Sequence, residues 1–434
     1  MKPLIYFFLL LVITATIYAQ DKLTLEDAIR RGLKNNYDVQ IARNDADISK
    51  VNNSWATSGA YPTAVAGITG NTSAVSIEQK FSNGNEVSTS GVTQSSMQAF
   101  ATINWKVFDG MKMFATKSKL EELERSSNIS LQQRISQTIF DISLAYYGLV
   151  RLHQQLKATQ ELITVLEERK RIAQTRFNVG VAAKNDLLQA QMDLNEQHSA
   201  LYNVGNAIAQ LEVSLNTLIG RIPTQRLDVE DSIMVDLNLD LNSITSTATE
   251  QNYSTLLAKQ DVAIALQTRR EIASQGLPSV SINGGYNYNR NSNSAGFSLL
   301  NQTNGLNVGV GISIPLFNGL LTQTQLDVTD IQLQSKQLQI DNIKRKVQQS
   351  LTNAENDYNN ALKLMQLEAQ NILLAKENAQ IALERFKRQT ITSVELRQIQ
   401  YATIESATRL LNAQYTAKSA ELQLRLIAGK LQLN

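Results

Sequence analysis

Trp105-Lys106-Val107-Phe108-Asp109-Gly110 and Ile314-Pro315-Leu316-Phe317-Asn318-Gly319 are one phrase written twice, 209 residues apart. The residues that lead into each phrase alternate apolar and polar, the pattern of a strand with two unlike faces. In the first, Met97, Ala99, Ala101, Ile103, Trp105 and Val107 share a face opposite Gln98, Thr102, Asn104 and Lys106, with Phe100 as the exception. In the second, Leu306, Val308, Val310, Ile312, Ile314 and Leu316 oppose Asn307, Gly309, Gly311 and Ser313. Beyond each glycine the period changes from that of a strand to that of a helix.

The duplication extends well past this phrase. The same offset carries Arg176-Phe177 onto Arg385-Phe386, Gln191 onto Gln400 and Gly220 onto Gly429. Upstream the offset is 216, carrying Asn36-Tyr37 onto Asn252-Tyr253 and Pro62 onto Pro278. The second copy therefore has a shorter loop, because the difference falls between Pro62 and Ala99. The chain divides into a first repeat at 20–220, a linker at 221–240 and a second repeat at 241–434. Repeats of this kind are read before any single element, because they decide the fold.

Each repeat predicts the same order of elements. A helix comes first, over 24–57 and again over 243–274, and ends before Pro62 or Pro278, since helix is disfavoured ahead of proline. Two strands and a polar loop follow. In the second copy the earlier strand sets Val280, Ile282, Tyr286 and Tyr288 against Ser281, Asn283, Asn287 and Asn289. Then come very long helices over 111–175 and 320–388, turns near 178–184 and 388–392, and shorter helices returning to Gly220 and Gly429. Leu131, Ile135, Thr138, Ile142, Ala145, Leu149, Leu152, Leu156, Thr159, Ile163 and Leu166 keep a strict 4-3 spacing, as do Val347, Leu351, Ala354, Tyr358, Ala361, Met365, Glu368, Ile372 and Ala375. Such spacing predicts coiled-coil packing. At about 1.5 Å per residue each long helix is a rod of roughly 100 Å.

Composition narrows the setting. A formal net charge of +2 over 434 residues gives no field that would attract nucleic acid. The absence of cysteine removes disulfides, thiolate chemistry and a lipid-modified cysteine. Lys2 followed by the apolar run Leu4 to Val12 and small residues up to Ala19 predicts a signal peptide over 1–19. The alternative for this segment is an N-terminal membrane anchor, for which the run is short. No later stretch is long and apolar enough for a membrane helix, so entry into a membrane would be by β-strands. Strands with one apolar and one polar face suit a barrel with lipid outside and water inside, although one such hairpin alone also suits a half-buried sheet. Four strands cannot close a barrel, eight enclose an interior filled by side chains, and twelve from three chains leave room for a pore. The expected fold class is mostly helical with a membrane β-barrel portion, built as a trimer with four strands per chain.

This order, used twice, resembles the TolC family of outer-membrane efflux proteins. The two phrases above carry the resemblance, together with Arg176-Phe177-Asn178-Val179-Gly180 followed by Asp186-Leu187-Leu188 and Ala190. It covers about Leu23 to Leu431. The resemblance implies a homotrimer in the bacterial outer membrane, with a helical portion reaching into the periplasm. It implies a passive exit duct for small molecules such as drugs, in a tripartite efflux or type I secretion system. It also implies a periplasmic adaptor (membrane fusion) protein and an inner-membrane transporter of RND or ABC type as partners. Arg176, Phe177, Val179 and Gly180 would form one adaptor-contacting tip, and Arg385 and Phe386 the other, with Gln389 in place of the turn glycine. The family's periplasmic gate acid matches Glu395, with Asp186 at the equivalent place in the first copy. Gln398 stands where a second acid is usual, and Ile391 and Phe386 where polar gate-locking residues can occur.

Catalysis, cofactors and metal ligation find no support in the residues. His153 and His198 are the only histidines, and neither has a ligand partner at helical spacing. There is no phosphate-binding glycine loop and no nucleophile elbow, and Asp45 and Asp47 read as solvated charges. The competing reading is a periplasmic coiled-coil scaffold without a pore, which would need no detergent and conduct no ions.

Overall fold

Both repeats fold in one order in the computed structural model, which describes residues 22–230, 232–237, 239–296 and 298–431. The expected signal peptide lies outside these residues. The first repeat runs α1 (Leu25–Asn35), α2 (Tyr37–Asn52), β1 (Thr63–Lys80), β2 (Glu86–Asp109), α3 (Lys112–Asn178) and α4 (Lys184–Leu218). The second runs α5 (Leu241–Gln251), α6 (Tyr253–Ala273), β3 (Ser279–Asn293), β4 (Leu300–Ser313), α7 (Leu321–Lys387) and α8 (Ser393–Ile427). Among the described residues no helix is long and apolar enough to cross a membrane.

Two expectations need correction. The leading helix of each repeat is two helices, broken at the asparagines that the repeat offset aligns. Asn36 takes an extended ψ of 126° and accepts the N–H groups of Asp38 at 2.9 Å and Val39 at 3.2 Å. Asn252 accepts the N–H of Ser254 at 2.9 Å. An asparagine carbonyl that takes up free first-turn donors starts a new helix rather than continuing the old one. The second correction is at the end of β4, which stops at Ser313 and leaves Ile314 and Leu316 exposed outside the strand. Pro315 has no N–H to give to a ladder.

The sheet has the order β1-β2-β3-β4, all neighbours antiparallel, so β1 and β4 each keep one edge without a partner in the chain. Its register gathers the alternating residues of all four strands. Ala66, Ala101, Tyr286 and Leu306 are cross-strand partners in sequence, and so are Ala64, Ile103, Gly284 and Val308. Partnered residues point to the same side. One face is therefore mainly apolar from the helix end of the strands up to Met97, Tyr288 and Leu306, and turns polar toward the hairpin loops at Ser95, Arg290, Gln302 and Asn304. On β4 its apolar part is open, with Val308 82% exposed and Val310 68%. The other face carries Gln98, Asn104, Asn283, Asn289 and Asn307. Phe100 stands on this polar side because its partner is Gly67, over which its ring lies; a methyl group at Gly67 would meet the ring at 2.7 Å.

By contacts the chain forms two compact units that cut across the repeats. Among the described residues, one comprises 22–40, 133–249 and 347–431; the other is 41–132 with 250–346. In the first unit the predicted seam is the core. Ile142, Leu149 and Leu166 of α3, with Leu351 and Tyr358 of α7, are almost fully buried. Burying one such aliphatic side chain stabilises by about 1.5–3 kcal/mol. Thr159 fits the seam by donating its hydroxyl to the Gln155 carbonyl at 2.9 Å, and Glu368 by accepting from Arg409 at 3.2 Å. Described residues of the linker are strapped to the core, the Glu230 N–H donating to the Tyr146 hydroxyl at 3.2 Å. Leu23 bridges Val229, and Tyr146, itself buried, donates to the Leu23 carbonyl at 2.8 Å.

The strand-to-helix glycines of the opening phrases differ in their surroundings. Gly110 and Gly319 have φ of 70° and 66°, a conformation that costs other L-residues roughly 1–2 kcal/mol. A Cβ on Gly110 would also meet the Ser274 carbonyl oxygen at 2.5 Å, whereas Gly319 faces open space. Gly110→Ala is expected to destabilise clearly more than Gly319→Ala, as read from the urea midpoints of the two variants. Equal midpoints would refute the close approach at Gly110.

Candidate functional site

The residues singled out in the sequence collect at the two helical turns of the first unit. In the α3–α4 turn Gly180 has φ of 76°; its N–H donates to Phe177 at 3.0 Å, and that of Val181 to Arg176 at 3.0 Å. In the α7–α8 turn Gln389 has φ of 60°; its N–H donates to Phe386 at 3.0 Å, and that of Thr390 to Arg385 at 3.0 Å. The two turns thus share one backbone design. The missing glycine changes its cost and not its shape, by about 1–2 kcal/mol for a side chain held at positive φ.

The paired aromatics, by contrast, part company. Phe177 is 37% exposed, and Val179 and Val181 stand further out. Phe386 is 7% exposed and packs with Ala382 and Leu396 against Ile172, Ile391 and Ile399. The Phe386 ring is thus far more buried than that of Phe177 and braces the hairpin from within. Arg176 lies over it, its guanidinium carbon 5.2 Å from the ring centre, a cation–π contact between the two turns. Arg385 and Gln389 are exposed.

Arg176, Asp186 and Phe386 line one cavity of about 560 Å³, together with Arg169 and Gln389. Glu395 is not in its lining. That carboxylate is part of a capping box at the start of α8: it accepts the Thr392 N–H at 2.9 Å and the Thr392 hydroxyl at 3.1 Å, while its own N–H donates to the Thr392 hydroxyl at 3.2 Å. The first copy has Ala183 in the place of Thr392, and no side chain caps α4. The Thr392 N–H, then its hydroxyl, and more weakly the charge of Arg385, hold Glu395 below the ordinary glutamate value of 4.5. A depressed carboxylate stabilises the folded cap above the unfolded pKa, and that contribution is lost as pH falls through the folded value. Amide exchange in the first turn of α8 is therefore expected to quicken below pH 4.5, with Glu395→Gln removing the pH step. A step of the same size in that variant would assign it to another group.

Sequence reasoning missed one group near these turns. Asp193 of α4 is 2% exposed and lies 2.9 Å from Arg169 of α3, which is 6% exposed. Arg397 of α8 approaches the other carboxylate oxygen at 3.5 Å, and the Gln189 amide donates to that oxygen at 2.8 Å. Three helices thus meet on one buried carboxylate. The available signal was the lack of repeat symmetry: the offset puts Asn378, Ala402 and Leu188 in the corresponding places.

A sheet with one lipid-compatible face and two open edges, attached to long coiled-coil hairpins, defines a subunit of an outer-membrane channel with a helical extension. The chain belongs to the outer membrane efflux protein family, whose model matches residues 28–221 and 244–430. It is 24% identical to the outer membrane protein TolC of Vibrio cholerae over 299 residues, 68% of each chain. It is 21% identical to TolC of Escherichia coli over 353 residues, 79% of this chain and 71% of that one. The Campylobacter jejuni CmeC outer membrane channel has the same fold, with a TM-score of 0.77 at 14% identity over 94% of this chain and 85% of that one. The protein is an outer-membrane efflux channel subunit, located in the outer membrane with helices on the periplasmic side.

Proposed function

We propose that three copies close one passive duct, with the polar sheet face turned to the lumen and the apolar face to lipid. The observation that carries this is the four-stranded sheet with both edges bare and one face mainly apolar over its helix-proximal part, opposite a polar face. Bare edges are not tolerated in lipid, and three chains supply the twelve strands that leave a pore. A pore-free scaffold would leave the exposed β4 row of Leu306, Val308, Val310 and Ile312 without a partner. The duct serves as the exit of a tripartite efflux or type I secretion system for small molecules such as drugs. A periplasmic adaptor and an RND or ABC transporter supply the cargo. Native mass in mild detergent and conductance in a planar bilayer test this; a monomer, or a trimer that does not conduct, would sink it.

Within this reading the adaptor meets Arg176, Phe177, Val179, Gly180 and Arg385, while Phe386 supports them from beneath. Glu395 and Asp186 form the gate region. Three copies of Glu395 near a threefold axis attract cations, although each is already engaged by Thr392. Conductance of Glu395→Gln trimers is the discriminating measurement, and unchanged magnitude and cation preference would leave only the capping role.

A further inference from the structure

We propose that Lys106 is the charge-selecting residue of the strand region and makes that part of the lumen favour anionic solutes. The inference rests on the trimeric duct proposed above. The register fixes the face: Lys106 pairs with Ser281, the next same-face step pairs Asn104 with Asn283, and Asn283 pairs with Gly309. Over the paired spans 63–75, 92–106, 281–293 and 301–311, every other residue of this polar face is uncharged. Amides and glycines dominate it, as in Asn287, whose amide donates to Asn307 at 3.0 Å. The opposite face has one charge in the same spans, Arg290.

Lys106 is exposed and has no hydrogen bond or ion pair with any described residue. The nearest carboxylate along β2, Asp109, is engaged: both its oxygens accept the Met113 N–H at 3.0 Å, at the start of α3. A helix N-terminus partly offsets a carboxylate's charge, and no ion pair engages the Lys106 ammonium among the described residues. Threefold symmetry turns one lysine into a ring of three positive charges on a polar face that is otherwise neutral over the paired spans above. Rings of fixed charge of one sign select mobile ions of the other. Screening acts over ~8 Å at physiological ionic strength and ~3 Å at 1 M salt, so the preference belongs to low and moderate salt.

The test is the reversal potential of purified trimers in planar bilayers under a potassium chloride gradient. Lys106→Gln is expected to lower the chloride-to-potassium permeability ratio by about twofold, and Lys106→Glu to lower it further. The direction is opposite to that expected of Glu395→Gln, and Arg290→Gln leaves the ratio unchanged. The natural lack of cysteine allows a second readout, in which Lys106→Cys is treated with charged methanethiosulfonates. The trimethylammonium reagent is expected to restore the wild-type ratio and the sulfonate reagent to move it the other way. Conducting trimers whose ratio ignores Lys106→Gln, or a Lys106→Cys thiol closed to both aqueous reagents, would overturn the assignment while leaving the duct standing. A wild-type trimer that carries no current removes both.

Discussion

Asp193→Ala is expected to cost the helical region about 3–5 kcal/mol, the range for removing one partner of a buried ion pair. The loss arises less from the missing attraction than from what stays behind. Arg169 is 6% exposed, and without Asp193 it keeps a full charge out of water. Arg397, at 38% exposed, can turn to solvent and adds little. The second repeat shows how the same helices pack without the ions, since Asn378 and Ala402 stand in the places of Arg169 and Asp193. Copying that arrangement with Arg169→Asn and Asp193→Ala together should recover most of the loss. The measurement is urea unfolding of the detergent-purified protein, followed by helical circular dichroism. A single-variant loss below about 1 kcal/mol would place the pair among exposed ion pairs of low worth.

The contrast between this cluster and the seam shows what a sequence makes legible. The seam could be read because its information is periodic: Ile142, Leu149 and Leu166 recur in step, and their burial follows from the step alone. The strand faces were legible for the same reason, and the register needed only to agree with the alternation. Asp193 carries no period. It flanks Leu194, which packs with the seam residues Ile163 and Leu166, and its meaning depends on two arginines from other helices, one of them more than two hundred residues away. The break at Asn36 lay in plain view as a repeat marker, yet a capping asparagine and an asparagine on a helix face look alike until the carbonyl finds its donors. The same limit applies at the turns. The repeat correctly aligned Phe177 with Phe386, but alignment transfers backbone position and not exposure. Ile391 and Ile399 roof one ring, while the other is 37% exposed. At Gln389 the departure from glycine was visible in sequence, while the retained turn was not. Positive φ is one option among several for glutamine, and the surrounding hairpin selects it.

Val308→Arg is expected to abolish assembly into the outer membrane, while Asn307→Arg, one residue away, is tolerated. Val308 lies mid-strand on the apolar face, flanked by Leu306 and Val310 and paired with Gly284, which has no side chain to shelter it. An arginine on the lipid face near the bilayer midplane costs ~2–4 kcal/mol. The threefold symmetry repeats that cost in every chain, so about 6–12 kcal/mol is lost per trimer, comparable with the whole stability of an ordinary domain. Asn307 points to the opposite face, where water solvates the same guanidinium and only the wall charge changes. The comparison is informative because the two variants share strand, residue type and sequence neighbourhood, and differ only in parity. It is read as the fraction of chain recovered from outer membranes as a trimer that survives mild detergent. Recovery of both variants at wild-type level would mean that the β4 row does not face lipid. Loss of Asn307→Arg with survival of Val308→Arg would turn the sheet inside out.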